Sequence, residues 1–341
     1  MLSEGMEQFD RPGSDTAFDT LAERGDARRG FLRGQWFTGA DRRVVAYGDA
    51  GKPLAGFALV ERRKGPLRLA EIAGCYWPFR GVPLDATTEE LATALPGMGK
   101  DLGWAWRLGP AEAGDPALDT LVSAAQRAGW QVLTRQLGTV YELDLAALDA
   151  SGDWPSAKTQ RKNRWRKRRL EDEGGAIRTE VFTGSDWTVG QRDAMAAIEA
   201  ASWLGGLADG GDTKFRDPAM RAYWEALCAD AALAPMLFGS VMWIGEIPAA
   251  FTFGVEAGDT RYYIANNYDE RFTRFGPGRV LLYEDFARAA ERGIARISWG
   301  LGDAGYKGEM GAVPGPAMVD LLFVRGGLLA TLLRRWWERK A

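Results

Sequence analysis

Between Met236 and Gly300 the elements follow one another in an order that restricts the chain to a mixed α/β sheet. Met236–Ile244 and Ala249–Val255 are apolar runs of strand length on either side of the turn Gly245-Glu246, and Thr260–Asn266 is a third such run. After Tyr268-Asp269 comes Phe275-Gly276-Pro277-Gly278-Arg279. Apolar residues at Val280, Leu281, Phe286 and Ala289 then predict a helix over Gly278–Arg292, with a further strand at Ala295–Gly300. Strands and helices that interleave in this way belong to α/β layers. A glycine loop between strand and helix lets backbone N–H groups approach a phosphate, and the helix dipole favours the negative charge. The loop has neither the Lys-Ser/Thr of a P-loop nor a GxGxxG spacing. From its residues alone it reads as a phosphate cradle or as a plain turn.

The first half shows the same kind of pattern more weakly. Val44–Tyr47 and Leu54–Val60 are predicted strands around a glycine-rich turn, followed by a helix at Thr88–Leu95, a strand at Trp104–Leu108 and a helix at Pro116–Ala128 ending on Gly129. Val132–Thr134 and Thr139–Leu143 read as two further strands, and Gly109-Pro110 and Gly114-Asp115-Pro116 as loop punctuation. Laying Gly51 on Gly245 superposes Ala55 on Ala249 and Phe57 on Phe251, which suggests a duplicated lobe. At 341 residues the length suits two domains. The expected division is a lobe over 1–150, a basic connecting helix over 151–175, a second lobe over 176–325 and a C-terminal amphipathic helix over 326–341.

Composition removes whole classes of chemistry. The chain contains no histidine, so Ser-His and Cys-His nucleophile pairs and every histidine-bearing metal site are excluded. Cys75 and Cys228 have no CxxC spacing, which points to small apolar side chains rather than a metal knuckle or disulfide framework, and no metal is expected. Proton transfer must then use carboxylates, Tyr, Lys, Cys, water or the substrate. Residues 1–10 carry Glu4, Glu7 and Asp10 and lack a cationic, then apolar, leader pattern, so a cytoplasmic location is expected. The longest apolar stretch, Ala231–Gly245, is interrupted by Pro235 and Gly239 and is too short to span a bilayer.

A net charge of −3 argues against a surface given over to nucleic acid, yet eight of the twelve residues from Lys158 to Arg169 are Lys or Arg. Glu171, Asp172 and Glu173 follow, so the charges oppose the helix macrodipole, and the i,i+4 pairs Arg168–Asp172 and Arg169–Glu173 offset little of that. The segment is a solvated linker helix or a site for an anionic ligand: CoA phosphates, an anionic acceptor, tRNA or acidic lipid. The C-terminal stretch Leu328–Lys340 places its Leu and Trp residues on one predicted helical stripe, which suits packing on a lobe or peripheral contact with a membrane.

The combination Tyr268-Asp269, Phe275-Gly276-Pro277-Gly278-Arg279-Val280-Leu281-Leu282, Gly293, Gly300-Leu301-Gly302-Asp303 and Tyr306-Lys307, with Ser202-Trp203 and the basic segment upstream, resembles the GNAT superfamily of acyl-CoA-dependent acyltransferases. Within it the chain is similar to the group around the cellulose-biosynthesis protein CelD, related to the tandem-lobed FemAB aminoacyltransferases. The resemblance implies two tandem GNAT-like lobes, the first degenerate, with acetyl-CoA or another acyl-CoA bound in the second. Phe275, Gly276, Gly278 and Arg279 would form the donor loop. The family's leading polar position falls on Thr273, with Arg274 one place later, so backbone N–H groups would make the phosphate contacts. The resemblance further implies a strand pair splayed around the acyl chain and an acceptor that attacks directly. Asp303 and Asp269 would accept its proton, Tyr306 would protonate the departing thiolate, and Lys307 would hold an anionic acceptor or the oxyanion. The expected acceptor is an amine or hydroxyl of a sugar- or envelope-related molecule. Two alternatives remain open: an aminoacyl-tRNA donor, the only nucleic acid in view, and a non-catalytic module of a polysaccharide assembly.

Overall fold

The computed structural model describes residues 7–9, 14–37, 42–49, 52–64, 67–73, 81–207, 212–302 and 305–338. It forms two compact units, one of Met1–Tyr141, Gly300–Gly302 and Pro314–Ala341, the other of Glu142–Trp299 and Asp303–Val313.

In the first unit the chain runs β1 (Glu7–Phe9), α1 (Ser14–Arg24), β2 (Arg42–Asp49), β3 (Lys52–Lys64), β4 (Leu67–Ile72), α2 (Thr88–Ala94), α3 (Gly99–Leu102), β5 (Ala105–Glu112), α4 (Pro116–Arg127) and β6 (Trp130–Asp144). The second unit supplies α5 (Leu145–Ala150), α6 (Ala157–Gly174), β7 (Ile177–Thr183), α7 (Val189–Ala201), α8 (Pro218–Cys228), β8 (Leu237–Ile244), β9 (Ile247–Ala257), β10 (Thr260–Tyr268), α9 (Pro277–Glu291), β11 (Arg296–Leu301) and α10 (Tyr306–Glu309). The chain then returns to the first unit as β12 (Val313–Arg325) and α11 (Gly327–Glu338).

Each unit is a mixed sheet with the same internal logic. In the first, β2, β3 and β4 pair antiparallel, β4 pairs parallel with β5, and β12 pairs antiparallel with β5. In the second, β7, β8, β9 and β10 pair antiparallel and β10 pairs parallel with β11. A parallel pair needs a crossover, and α9 supplies it between β10 and β11 as α2 and α3 do between β4 and β5. Three antiparallel strands followed by a helix and a parallel strand therefore occur twice.

Local chemistry explains where the helices begin. Asp115 and Asp217 each accept two backbone N–H bonds ahead of a proline at the first helical position, starting α4 and α8 in the same way. Thr87–Glu90 and Thr188–Gln191 are capping boxes for α2 and α7. The first core packs Phe57, Trp106, Trp130, Leu121 and Phe323, with Trp106 stacked on Phe323 at 3.7 Å.

Several expectations are corrected here. The two predicted strands at Val132–Thr134 and Thr139–Leu143 are one, β6, because its polar middle remains extended at the surface. Gly109-Pro110 lies inside β5 rather than in a loop, where a side chain at Gly109 would meet the Asp320 backbone of β12 at 2.7 Å. Gly114-Asp115-Pro116 does punctuate, through the Asp115 cap. Cys75 lies outside the described residues, and Cys228 is half-buried. Among the described residues no helix is long and apolar enough to cross a membrane.

Candidate functional site

The second unit's sheet opens at its parallel pair. The register of β10 with β11 covers only Thr260–Tyr262 against Arg296–Ser298, whereas β10 stays paired with β9 as far as Tyr268. A bulge between Tyr263 and Ala265 shifts the β9 register at Ile264, and bulges re-aim a strand where pairing ends. Beyond it Ala265, Asn266, Asn267 and Tyr268 are half-exposed, so backbone and side chains line an open slot.

The end of that slot meets the start of α9. Asp269 caps a short helical turn over Glu270–Phe275, and Gly276 follows in the left-handed conformation at φ +59°, which turns the chain into Pro277 at the first position of α9. No side chain caps this helix; Pro277 has no N–H and the Arg279 N–H donates to the Gly276 carbonyl at 3.1 Å, which leaves Gly278 and the helix dipole at its start. Gly278 is in the first turn, and a Cβ there would come within 3.2 Å of the Tyr268 ring. The loop's two phenylalanines are anchors: Phe272 and Phe275 pack with Leu170, Val280 and Leu281 in the second unit's core.

A polar network below the surface fixes α9. Asp285 accepts from Ser240 of β8 at 2.6 Å and from the Thr252 hydroxyl of β9, while Arg261 of β10 donates to the Asp285 carbonyl at 3.1 Å and to Glu256. Buried polar groups satisfied this fully rigidify what they join.

Helix α6 adds charge to the same place. Its reversed charge order costs about 0.3–1 kcal/mol per terminal charge, and full burial of one Leu returns about 1.5–3 kcal/mol. Leu170 is that residue, wholly buried, and Trp165 meets Phe275 edge-on at 6.1 Å. Of the predicted i,i+4 pairs neither is seen; Arg169 reaches Asp172 at i,i+3 instead, at 3.2 Å. Docked this way, α6 sets Arg166 beside Gly276, whose added Cβ would lie 3.7 Å from the Arg166 Nε. Arg166 bonds Asn163 at 2.9 Å, and Arg279 pairs with Glu309 of α10 at 2.6 Å. Burial, and after it the neighbouring Arg279 guanidinium, lower the pKa of Arg166. Positive charge is thus held in excess at an uncapped helix start. Burial raises the Tyr283 hydroxyl pKa one turn along α9, while Arg279 and Arg166 draw it back. Trp154 packs against Tyr283 at 5.7 Å and donates its indole N–H to the Met310 carbonyl at 3.0 Å.

The predicted loop residues Phe275, Gly276, Gly278 and Arg279 are therefore brought together, Phe275 as an anchor rather than a contact. Arg274 lies over the Phe275 ring. Tyr306 opens α10 and meets Trp299 edge-on at 5.4 Å, and Lys307 beside it is buried. Asp303 lies outside the described residues. Asp269 takes a different role from the one expected: it is buried, receives the Arg271 backbone N–H at 2.9 Å and the Arg271 guanidinium, and donates its own N–H to Ala249 at 2.8 Å. A carboxylate so committed shapes the loop. Arg166, Trp154 and Tyr283 were not foreseen; nothing distinguishes Arg166 within a run of basic residues until the helix is docked.

Residues 157–308 match the model of the acetyltransferase (GNAT) domain. The fold is GNAT-like. FemX is similar in structure at a TM-score of 0.63 and 14% identity, with 96% of this chain and 100% of that one aligned. L-PGS from Bacillus licheniformis is similar at 0.56 and 15%, covering 100% and 99%. No curated protein matches by sequence. The GNAT match takes in α6, the open slot, the Gly276–Arg279 loop, Tyr306 and Lys307.

Proposed function

We propose that this protein is an acyl-CoA-dependent N- or O-acyltransferase of the CelD-like group, acting on an amine or hydroxyl of a sugar- or envelope-related acceptor. The observation that carries the reading is the positive excess of Arg166 and Arg279 at the uncapped start of α9, next to the open edge of β10. Phosphate is the chemistry such a place favours. The residues fit: Gly276 and Gly278 leave room for close backbone approach, and the guanidiniums supply charge.

Acyl-CoA supplies a thioester carbonyl already activated towards nucleophiles. Gly278 offers the phosphates a backbone N–H at the start of α9, with the Arg166 and Arg279 side chains alongside. The Gly276 and Arg279 N–H groups already donate to the Thr273 and Gly276 carbonyls and shape the loop. Backbone at the Ile264 bulge, freed from the β11 register, orients the acyl carbonyl, and such preorganised donors are often the largest catalytic contribution. Tyr306 donates the proton that the thiol group takes on leaving. Lys307 holds the acceptor or the developing negative charge. Asp303 accepts the acceptor's proton.

A second reading keeps the fold and takes aminoacyl-tRNA as donor. The outward face of α6 favours it, since Lys158, Arg161, Lys162, Arg164, Arg168 and Arg169 are all exposed. Calorimetric titration of the purified protein with acetyl-CoA and with tRNA separates the two. Acetyl-CoA binding that Arg166→Ala weakens supports the first; tRNA binding with no acetyl-CoA binding refutes it.

A further inference from the structure

Helix α11 is apolar on two sides, not one as expected from the sequence. Its inner side buries Ala330 and Trp337, with Leu333 packed against them, on Ala105, Leu133, Leu322 and Val324. The Trp337 ring also carries the Arg135 guanidinium at 4.1 Å. That contact accounts for the helix's place in the fold. It leaves Leu328, Leu332 and Trp336, at i, i+4 and i+8, as an outer stripe exposed to 89%, 77% and 45%. Leucines at that exposure do no work in the fold, and a continuous apolar stripe of this kind marks an interaction surface.

The stripe runs into a groove of about 810 Å³ in the same unit, where Trp336 and Leu333 face Arg62, Arg63, Arg68 and Trp104. The three arginines are about two-thirds exposed. Their carboxylate neighbours are Glu61, shared by Arg63 and Arg68, and Glu71, which also serves Arg107. The Glu61 pairs are exposed and hold Arg63 and Arg68 weakly, whereas Glu71 is buried. Arg334 and Arg335 add exposed charge on α11 itself. An apolar stripe bordered by arginines, with a tryptophan at the junction, is complementary to apolar chains under a layer of negative headgroups.

We infer that α11 and the adjoining arginine groove form a docking surface for an anionic membrane. Leu328 and Leu332 enter the acyl boundary, Trp336 sits at headgroup level, and Arg62, Arg63, Arg68 and Arg335 meet lipid phosphates. The inference stands apart from the acyl-donor site, which lies in the other unit.

Sedimentation of the full chain with vesicles tests it, comparing phosphatidylcholine alone with phosphatidylcholine containing phosphatidylglycerol. Binding is expected only to the anionic vesicles and should fall with salt. Leu328→Ser with Leu332→Ser should weaken it on the order of tenfold, and Arg63→Ser with Arg68→Ser by roughly fivefold per arginine. Circular dichroism of each variant should match the parent, since both pairs of side chains face outward. Absence of binding, or equal binding to both vesicles, overturns the inference. So does light scattering that shows a dimer which the leucine variants dissociate, because the stripe would then be covered by a second copy.

Discussion

The Arg279 guanidinium meets the Glu309 carboxylate at 2.6 Å, tying the first turn of α9 to α10. Arg166, beside Gly276, bonds the neutral Asn163 and no carboxylate among the described residues. One carboxylate thus serves two cations, and it competes with any phosphate for Arg279. Charge-assisted hydrogen bonds contribute about 1.5–3 kcal/mol. Arg166→Ala and Arg279→Ala are each expected to weaken acetyl-CoA at least about tenfold by calorimetry. Glu309→Gln should act in the opposite direction by up to about fivefold, the range of a surface ion pair. Weaker binding in Glu309→Gln would mean that the carboxylate positions Arg279 rather than competing for it.

Gly278 offers a cleaner test of backbone approach. It sits in the first turn of a helix without a positive φ, so alanine is tolerated there and the added methyl needs only a small shift of the Tyr268 ring. Alanine also improves helix propensity by up to about 1 kcal/mol. Gly278→Ala should keep or slightly raise the melting temperature while reducing acetyl-CoA affinity, and Gly278→Val should abolish binding. Full affinity in a folded valine variant removes the loop from the site.

These two tests rest on features of different legibility. Gly276, Gly278 and Arg279 are visible in the sequence because a strand, a glycine loop and a periodic helix are all local. The hairpins β2–β3 and β8–β9 are legible for the same reason, being apolar runs about a glycine turn. Arg166 becomes visible only when Leu170 and Trp165 dock α6. Asp269 reads as a free carboxylate until its own i+2 partner, Arg271, is seen to occupy it. Strand β7 escapes notice because Ile177–Thr183 lies at the end of its sheet and leaves Val181 half-exposed, so its alternation is blurred. The return of β12 to the first unit is a pairing across some two hundred residues, which no window of sequence contains.

Tyr306 is the expected acid. Loss of one general acid costs about 10²–10⁴-fold. Tyr306→Phe should lower kcat within that range, followed as thiol release from acetyl-CoA with an amine acceptor, and leave acetyl-CoA affinity nearly unchanged. Asp303→Asn should also slow turnover. Full activity in Tyr306→Phe with loss in Asp303→Asn would assign the proton traffic to the carboxylate alone.

Burial pushes the Cys228 thiol up to about 11. The shift favours the protonated form in the folded state. Its contribution to stability is therefore complete below the ordinary thiol value and is lost as pH rises through about 11. The thiolate is the reactive species. In a Cys75→Ser background, alkylation of Cys228 at pH 9 should lag well behind that of an unfolded control and approach it only near pH 11. Equal rates at pH 9 would show an open, solvated thiol.

Asp320 of β12 is wholly buried and accepts from two arginines, Arg107 of β5 at 2.8 and 2.9 Å and Arg135 of β6 at 3.0 Å. Its carboxylate supports Arg107 against the burial that would otherwise depress its pKa. Removing one member of a buried ion cluster leaves uncompensated charge and costs about 3–5 kcal/mol. Asp320→Ala should lose about that much in urea unfolding, and Asp320→Asn less, since it keeps one acceptor in the same shape. Gly109→Ala attacks the same crossing from β5. Its φ of +149° is poorly suited to a side chain, and its Cβ would press on the Asp320 Cα at 2.7 Å, so β5 and β12 must part. Faster amide exchange confined to β5 and β12 in both variants is the expected signature. Unchanged exchange there, with stability retained in Asp320→Ala, would mean that Arg107 and Arg135 are held by their other neighbours, Glu71 and the Trp337 ring.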